Sequence, residues 1–353
     1  MLSARRVAIL IAIMIFCQAC SQVRYYGHVT HGQASLILSR RSIDKVIADP
    51  ATDERTARQL RMAREAREFA SVSLGLPRNR SYTYYVALDR PAVVWNVFAT
   101  PELSLVPVSH CFPFAGCVAY RGYFRQAMAT REAARLAALG NDTYVGEVPA
   151  YSTLGWFADP LLSSMMRWDD DQLVGTIFHE LAHQKLYVKD DTAFNESFAS
   201  FVEDEGVRQW RAAKGMAPPD HTGDALATAF TRQVMDLRDR LGKLYAREIS
   251  DDSKREGKAA QIVDFRERYA VWRDTEAHGD HRYDRWVAAP INNARLLPFG
   301  LYDQWTGAFT RVFANTHGRW PDFFAEVQRL SRLPRGERDA RLKALAAADP
   351  PRQ

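Results

Sequence analysis

Residues 173–206 read LVGTIFHELAHQKLYVKDDTAFNESFASFVEDEG, and the pattern predicts two helices with a short polar break between them. The run His179-Glu180-Leu181-Ala182-His183 matches H-E-x-x-H. Histidines four apart stand one above the other on a single helical face, so both imidazoles can reach one ion. A glutamate directly after the first histidine projects beside them, near enough to hold a water on that ion. The turn before the motif is apolar, Ile177-Phe178, and neither proline nor glycine interrupts residues 176–188. That is the composition of a buried helix behind a metal site.

A catalytic zinc site needs three protein donors and one open position. Past the polar Lys189-Asp190-Asp191, apolar residues at Phe194, Phe198, Phe201 and Val202 mark a second amphipathic helix, with Glu196 in its first turn. Two helices joined by so short a loop pack antiparallel, which returns Glu196 towards His179 and His183. Glu203 shares the face of Glu196 two turns on. It competes for the third position and otherwise reads as a supporting or surface acid. The predicted cofactor is one Zn2+ per chain.

Working outward, the chain has 353 residues, 47% apolar and 25% charged, the profile of a folded protein with ample core. The formal charge of +5 is mild and dispersed, which argues against a nucleic-acid partner. Asp53–Leu74 and Arg125–Leu139 have helical spacing. Tyr82–Leu88, Ala92–Ala99, Leu103–Val108 and Val118–Phe124 read as short strands, and Tyr144–Phe157 as extended. From Asp170 nearly everything reads as helix, with Asp224–Arg273 forming two antiparallel helices that turn near Ser250–Ser253. The expected class is α+β: one mainly helical domain over 36–353 with a small N-terminal sheet, preceded by a tether over 20–35. The remaining histidines, among them His278 and His281, are scattered and suit surface or core roles.

At the N-terminus, Arg5 and Arg6 precede an apolar run over Val7–Phe16, too short to span a bilayer, and then Cys17-Gln18-Ala19-Cys20-Ser21. This resembles a bacterial lipoprotein signal, residues 1–19. The resemblance implies that Cys20 is the lipid-bearing first residue, that acyl chains are the membrane partner, and that the location is the cell envelope, on the outer membrane facing the periplasm. Cys111 and Cys117, in CFPFAGC, then suit a disulfide in an oxidising compartment, with buried free thiols as the alternative.

HELAH followed by NESFASFVE is similar to the gluzincin metallopeptidases, in particular aminopeptidases whose third ligand lies in an N-E-x-F-A-S motif. The loop between the two halves is several residues shorter here. CFPFAGCVAYRGYF, YSTLGWFADPLL and INNARLLPFGLY extend the resemblance to bacterial lipoproteins predicted to be aminopeptidases. The implied fold is zincin-like and the implied substrates are peptides. His179, His183 and Glu196 are the implied zinc ligands and Glu180 the base. Gluzincins also carry a Tyr or His that hydrogen-bonds the oxyanion. Tyr302 is the first candidate and Tyr283 the second, with core tyrosines as the alternative. YSTLGWF stands where zincins carry a substrate-pairing edge strand. The glycine-rich glutamate motif that captures a substrate amine is not visible, and Glu147 is the nearest acid. The competing expectation is a non-catalytic peptide-binding or scaffolding lipoprotein that retains this fold, and hydrolysis of a non-peptide amide is a third.

Overall fold

Period-two runs before residue 160 and 3.6-residue periodicity after 170 divide the chain into a strand-rich first part and a helical remainder. The computed structural model describes residues 22–112, 116–220, 222–299 and 305–347. Cys20 and the signal segment lie outside them. The architecture is α+β and mainly helical.

Helix α1 covers 22–38, where a tether was expected. It is packed rather than loose because its apolar residues find partners: Tyr25 and Leu36 are buried, and the Tyr25 ring meets Tyr123 edge-on at 5.5 Å. Strand β1 (Arg41–Ser42) and helices α2 (Ile43–Ile47) and α3 (Glu54–Val72) follow. The Asp53 side chain caps α3 by accepting from the Thr56 amide, satisfying a backbone donor that the helix itself cannot.

Next come β2 (Tyr84–Val86), β3 (Val94–Pro101), β4 (His110–Phe112), β5 (Gly116–Val118), β6 (Tyr120–Tyr123), α4 (Gln126–Ala137), β7 (Asn141–Val148) and β8 (Leu161–Leu162). They form three small sheets, ordered β1-β2-β8, β6-β3-β7 and β4-β5. The β6-β3-β7 sheet is antiparallel throughout. One face, carrying Trp95, Val97 and Ala99, packs on Ala129, Ala133 and Leu136 of α4. The other face lines a cleft.

Two extended readings differ from the structure. Residues 103–108 make no ladder, although the Val108 amide bonds the Ala99 carbonyl; Pro101 and Pro107 cannot donate to one. YSTLGWF is a folded loop rather than an edge strand. Leu154 and Gly155 have φ of 55° and 80°, and the buried Asp159 carboxylate accepts from the Thr153 amide and hydroxyl at 3.0 and 2.7 Å.

The helical remainder comprises α5 (Asp170–Lys185), α6 (Thr192–Ala213), α7 (Thr222–Tyr245), α8 (Asp251–Thr275), α9 (Asp284–Ala288), α10 (Asn293–Leu296), α11 (Thr306–Asn315), α12 (Trp320–Ser331) and α13 (Arg335–Ala347). The main core joins α3, α5, α6 and α11–α13 through Leu60, Phe178, Phe194, Phe198, Phe309 and Phe323. Helices α7 and α8 form the expected pair about a second cluster that includes Phe230, Leu237, Phe265 and Tyr269, and Ser250 caps α8. Among the described residues, no helix is long and apolar enough to cross a membrane.

Candidate metal centre

The motif helix α5 starts at a side-chain cap: the Asp169 carboxylate accepts from the Gln172 amide, and Asp170 and Asp171 complement the positive helix end. Its buried face is Leu173, Val174, Ile177, Phe178, Leu181 and Ala182, which leaves His179, Glu180 and His183 turned to the cleft.

The loop to α6 is held by three side chains from different places in the chain. Asn195 donates to the Val188 carbonyl and accepts from its amide, each at 2.7 Å. Asp191 caps α6 through the Phe194 amide, and Arg338 of α13 meets the same carboxylate at 2.5 Å with both groups buried. The Asn195 bonds explain the asparagine that precedes the third donor: its carboxamide closes the loop that aims Glu196. Asp190, at φ 62°, also accepts from the Cys117 amide at 3.3 Å. The Cys111 and Cys117 sulfurs lie 2.04 Å apart, so the β4-β5 hairpin rests on this loop as a closed ring.

The helices run antiparallel, and the predicted donors meet. The His179 and His183 Nε2 atoms are 3.1 Å apart. Glu196 Oε2 lies 3.3 Å from the first and 3.7 Å from the second. Ligand atoms about 2.0–2.1 Å from a tetrahedral zinc are about 3.3–3.4 Å apart, so the three Lewis bases have the spacing of such a set. His179, His183 and Glu196 could hold a metal ion. Two ring nitrogens 3.1 Å apart fit a proton on one of them or a shared cation.

Glu203 occupies the supporting position. Its Oε2 is 2.9 Å from His179 Nδ1, so it accepts the proton of the nitrogen that faces away from the ligand cluster and orients the ring. Room for it comes from Gly175: a Cβ there would lie 2.8 Å from Glu203 Oε1 and 3.1 Å from its Cγ. His183 Nδ1 is buried without a hydrogen-bond partner among the described residues.

Burial disfavours a charged His179 ring, but the hydrogen bonds it donates to Glu196 and Glu203 outweigh it and raise its pKa to about 10. Burial likewise opposes a charged Glu196, and the two histidines outweigh that and lower it to about 2. The metal-free cluster is therefore an imidazolium–carboxylate pair at neutral pH.

The cleft, of about 940 Å3, lies between these helices and the β6-β3-β7 sheet. The Glu180 carboxylate faces it and hydrogen-bonds no described residue. Tyr120 and Tyr187 also line it. Burial, and next the charge of Glu196, raise both phenols, so they stay protonated donors near neutral pH. The sequence reading passed over both.

Tyr302 lies outside the described residues. Tyr283 is no oxyanion donor: it is stacked on Phe230 at 3.9 Å in the α7–α8 cluster, away from the cleft. Glu147, in register with Trp95, is exposed and lines the cleft. His281 bonds Asp284 at 2.6 Å, and among the described residues no group with His278 could hold a metal.

A family model described as "Putative aminopeptidase" matches residues 24–342. The chain belongs to that family. No curated protein and no solved structure matches it. The match extends from α1 to α13.

Proposed function

We propose that this family member is a zinc-dependent aminopeptidase with a zincin-like fold, held by acyl chains on Cys20 at the outer membrane and facing the periplasm. The observation that carries the reading is the convergence of His179, His183 and Glu196 beside an unengaged Glu180 that faces the cleft. A site that served only structure would need a fourth donor and no free carboxylate at that place.

When bound, zinc supplies Lewis acidity towards a carbonyl and brings the pKa of water to about 7. His179, His183 and Glu196 hold it, and Glu203 fixes the His179 ring. Glu180 accepts a proton from the attacking water at its carboxylate oxygen and delivers it to the leaving amine nitrogen, a role worth roughly 10²–10⁴ in rate. Tyr120 and Tyr187 are the described phenols on the cleft wall that can donate to the oxygen where negative charge develops. The anchor rests on the sequence around Cys20, and the exopeptidase form rests on the family.

The test is metal analysis of the purified protein joined to a peptide-library digest. The reading expects one zinc per chain, chelator-sensitive cleavage and a ladder of shortened N-termini. A Glu180→Gln variant should retain zinc and lose most turnover. Zinc without cleavage of any peptide would leave the scaffolding reading, and internal cuts would reject the exopeptidase form.

A further inference from the structure

The floor of the cleft carries a feature that the metal chemistry does not use. On the cleft face of the sheet, register places Asn96 of β3 directly between Gly122 of β6 and Gly146 of β7. One row further along β3, Phe98 stands between Tyr120 and Tyr144, with ring centroids 5.4 and 6.1 Å apart. One row the other way, Val94 pairs with Val148, with the Phe124 and Tyr151 rings 5.6 Å apart beyond. The two flanking rows are about 13 Å apart by strand rise. Between them Asn96 is the one side chain of its row, with the Tyr144 and Phe98 rings leaning over Gly146, where a Cβ would lie 3.2 and 3.7 Å from them.

Every other residue of β3 before its exposed end at Pro101 is buried, and only Asn96 is half-exposed. Its carboxamide hydrogen-bonds no described residue. A Cβ on Gly122 would lie 3.1 Å from Asn96 Oδ1 and 3.1 Å from Val94, so the glycine makes the room that the carboxamide oxygen occupies. Glycine inside a strand weakens the sheet and commonly marks a place where a ligand or another backbone comes close. Asparagine on a central strand is itself unfavourable unless its amide is used.

The charged residues lining the cleft are carboxylates and the two histidines, with no lysine or arginine among the described ones. Away from the metal centre, a carboxylate ligand finds no counter-charge on the cleft wall. A neutral peptide group matches a carboxamide, which offers one donor and one acceptor side by side. We propose that Asn96 is a substrate-positioning residue: its carboxamide pairs with one uncharged main-chain amide of an extended peptide lying in the slot between the two rows. The peptide identity of the ligand rests on the function proposed above.

The test uses the full chain carrying Glu180→Gln, loaded with zinc, and a C-terminally amidated octapeptide of alanine and leucine as the probe in calorimetry. Asn96→Ala should weaken binding about two- to twelvefold, the range for one lost neutral hydrogen bond, with zinc affinity and melting temperature unchanged. Asn96→Asp, which keeps the volume but removes the donor, should weaken it at least as much. Parent-like affinity in both variants, or no binding by the parent, overturns the proposal. Hydrolysis by the unmutated protein is scored separately. Cleavage with a KM unaffected by Asn96→Ala removes the slot and keeps the peptidase. Asn96-dependent binding without cleavage keeps the slot and removes the peptidase.

Discussion

Replacing Gly175 with alanine separates the contribution of Glu203 from that of the three metal ligands, because it alters neither. The new methyl would stand 2.8 Å from Glu203 Oε1 and 3.3 Å from its Cδ. Comfortable contacts need ~3.5 Å, so Oε1 must retreat by about 0.7 Å; carried over to Oε2, that stretches its 2.9 Å bond to His179 beyond hydrogen-bond range. Loss of such an outer hydrogen bond costs roughly 10–100-fold in metal affinity, or about 1.4–2.7 kcal/mol. Folding should suffer little, since alanine in a helix interior is favoured over glycine by about 0.5–1 kcal/mol. Zinc affinity is read by competition with a chromophoric chelator, and stability by thermal melting. The expected result is a 10–100-fold rise in zinc Kd with a nearly unchanged melting temperature. In a Glu203→Ala background the same substitution should add nothing, because its target is gone. Unchanged affinity in the single variant, or an equal loss in both backgrounds, would refute the reasoning.

Three further predictions follow from other parts of the molecule. Because the metal-free His179 pKa is raised to about 10, zinc binding between pH 6.5 and 10 should release about one proton and tighten roughly tenfold per pH unit; calorimetry in buffers of different ionisation enthalpy would reveal zero release if the pairing were wrong. The sign for metal-free stability is the opposite. The His179 contribution is complete below pH 6.5 and is lost as pH rises through 10, so metal-free melting should fall across that range. Arg338→Met strands the buried Asp191 carboxylate and should destabilise by about 3–5 kcal/mol, with Asp191→Asn in the same chain recovering part of the loss in denaturant titrations. Cys20→Ser should abolish acylation and release the protein from membranes to the soluble envelope fraction; membrane retention with no acyl label would discard the lipid anchor.

Much of the centre was legible in the chain because its information is local. Helical periodicity alone puts His179 and His183 on one face, and the shortness of the loop over residues 186–191 leaves an antiparallel return as the compact solution, which brings Glu196 back to them. The α7–α8 turn near Ser250–Ser253 is local in the same sense. Failures came where a distant partner decides. Residues 22–38 are polar and aromatic enough to read as a tether until Tyr123 and Phe124 offer them a surface. YSTLGWF has the composition of a strand, but Asp159 folds it into a loop. Tyr283 looked like a donor and is spent on stacking with Phe230.

From its sequence alone this protein was determined to be an α+β chain, mainly helical, carrying an imidazole pair and a carboxylate on consecutive helices, since those features depend on neighbours within one or two turns. Only the tertiary structure decided that Glu203 rather than solvent holds the outer nitrogen of His179, that Gly175 makes the room for it, and that Asn96 stands alone between two glycines facing the ligands. Those relations join residues about 25 to 80 positions apart, and the physical cause is packing: which side chain meets which is fixed by the crossing of helices and the register of strands, and neither is written in any single segment.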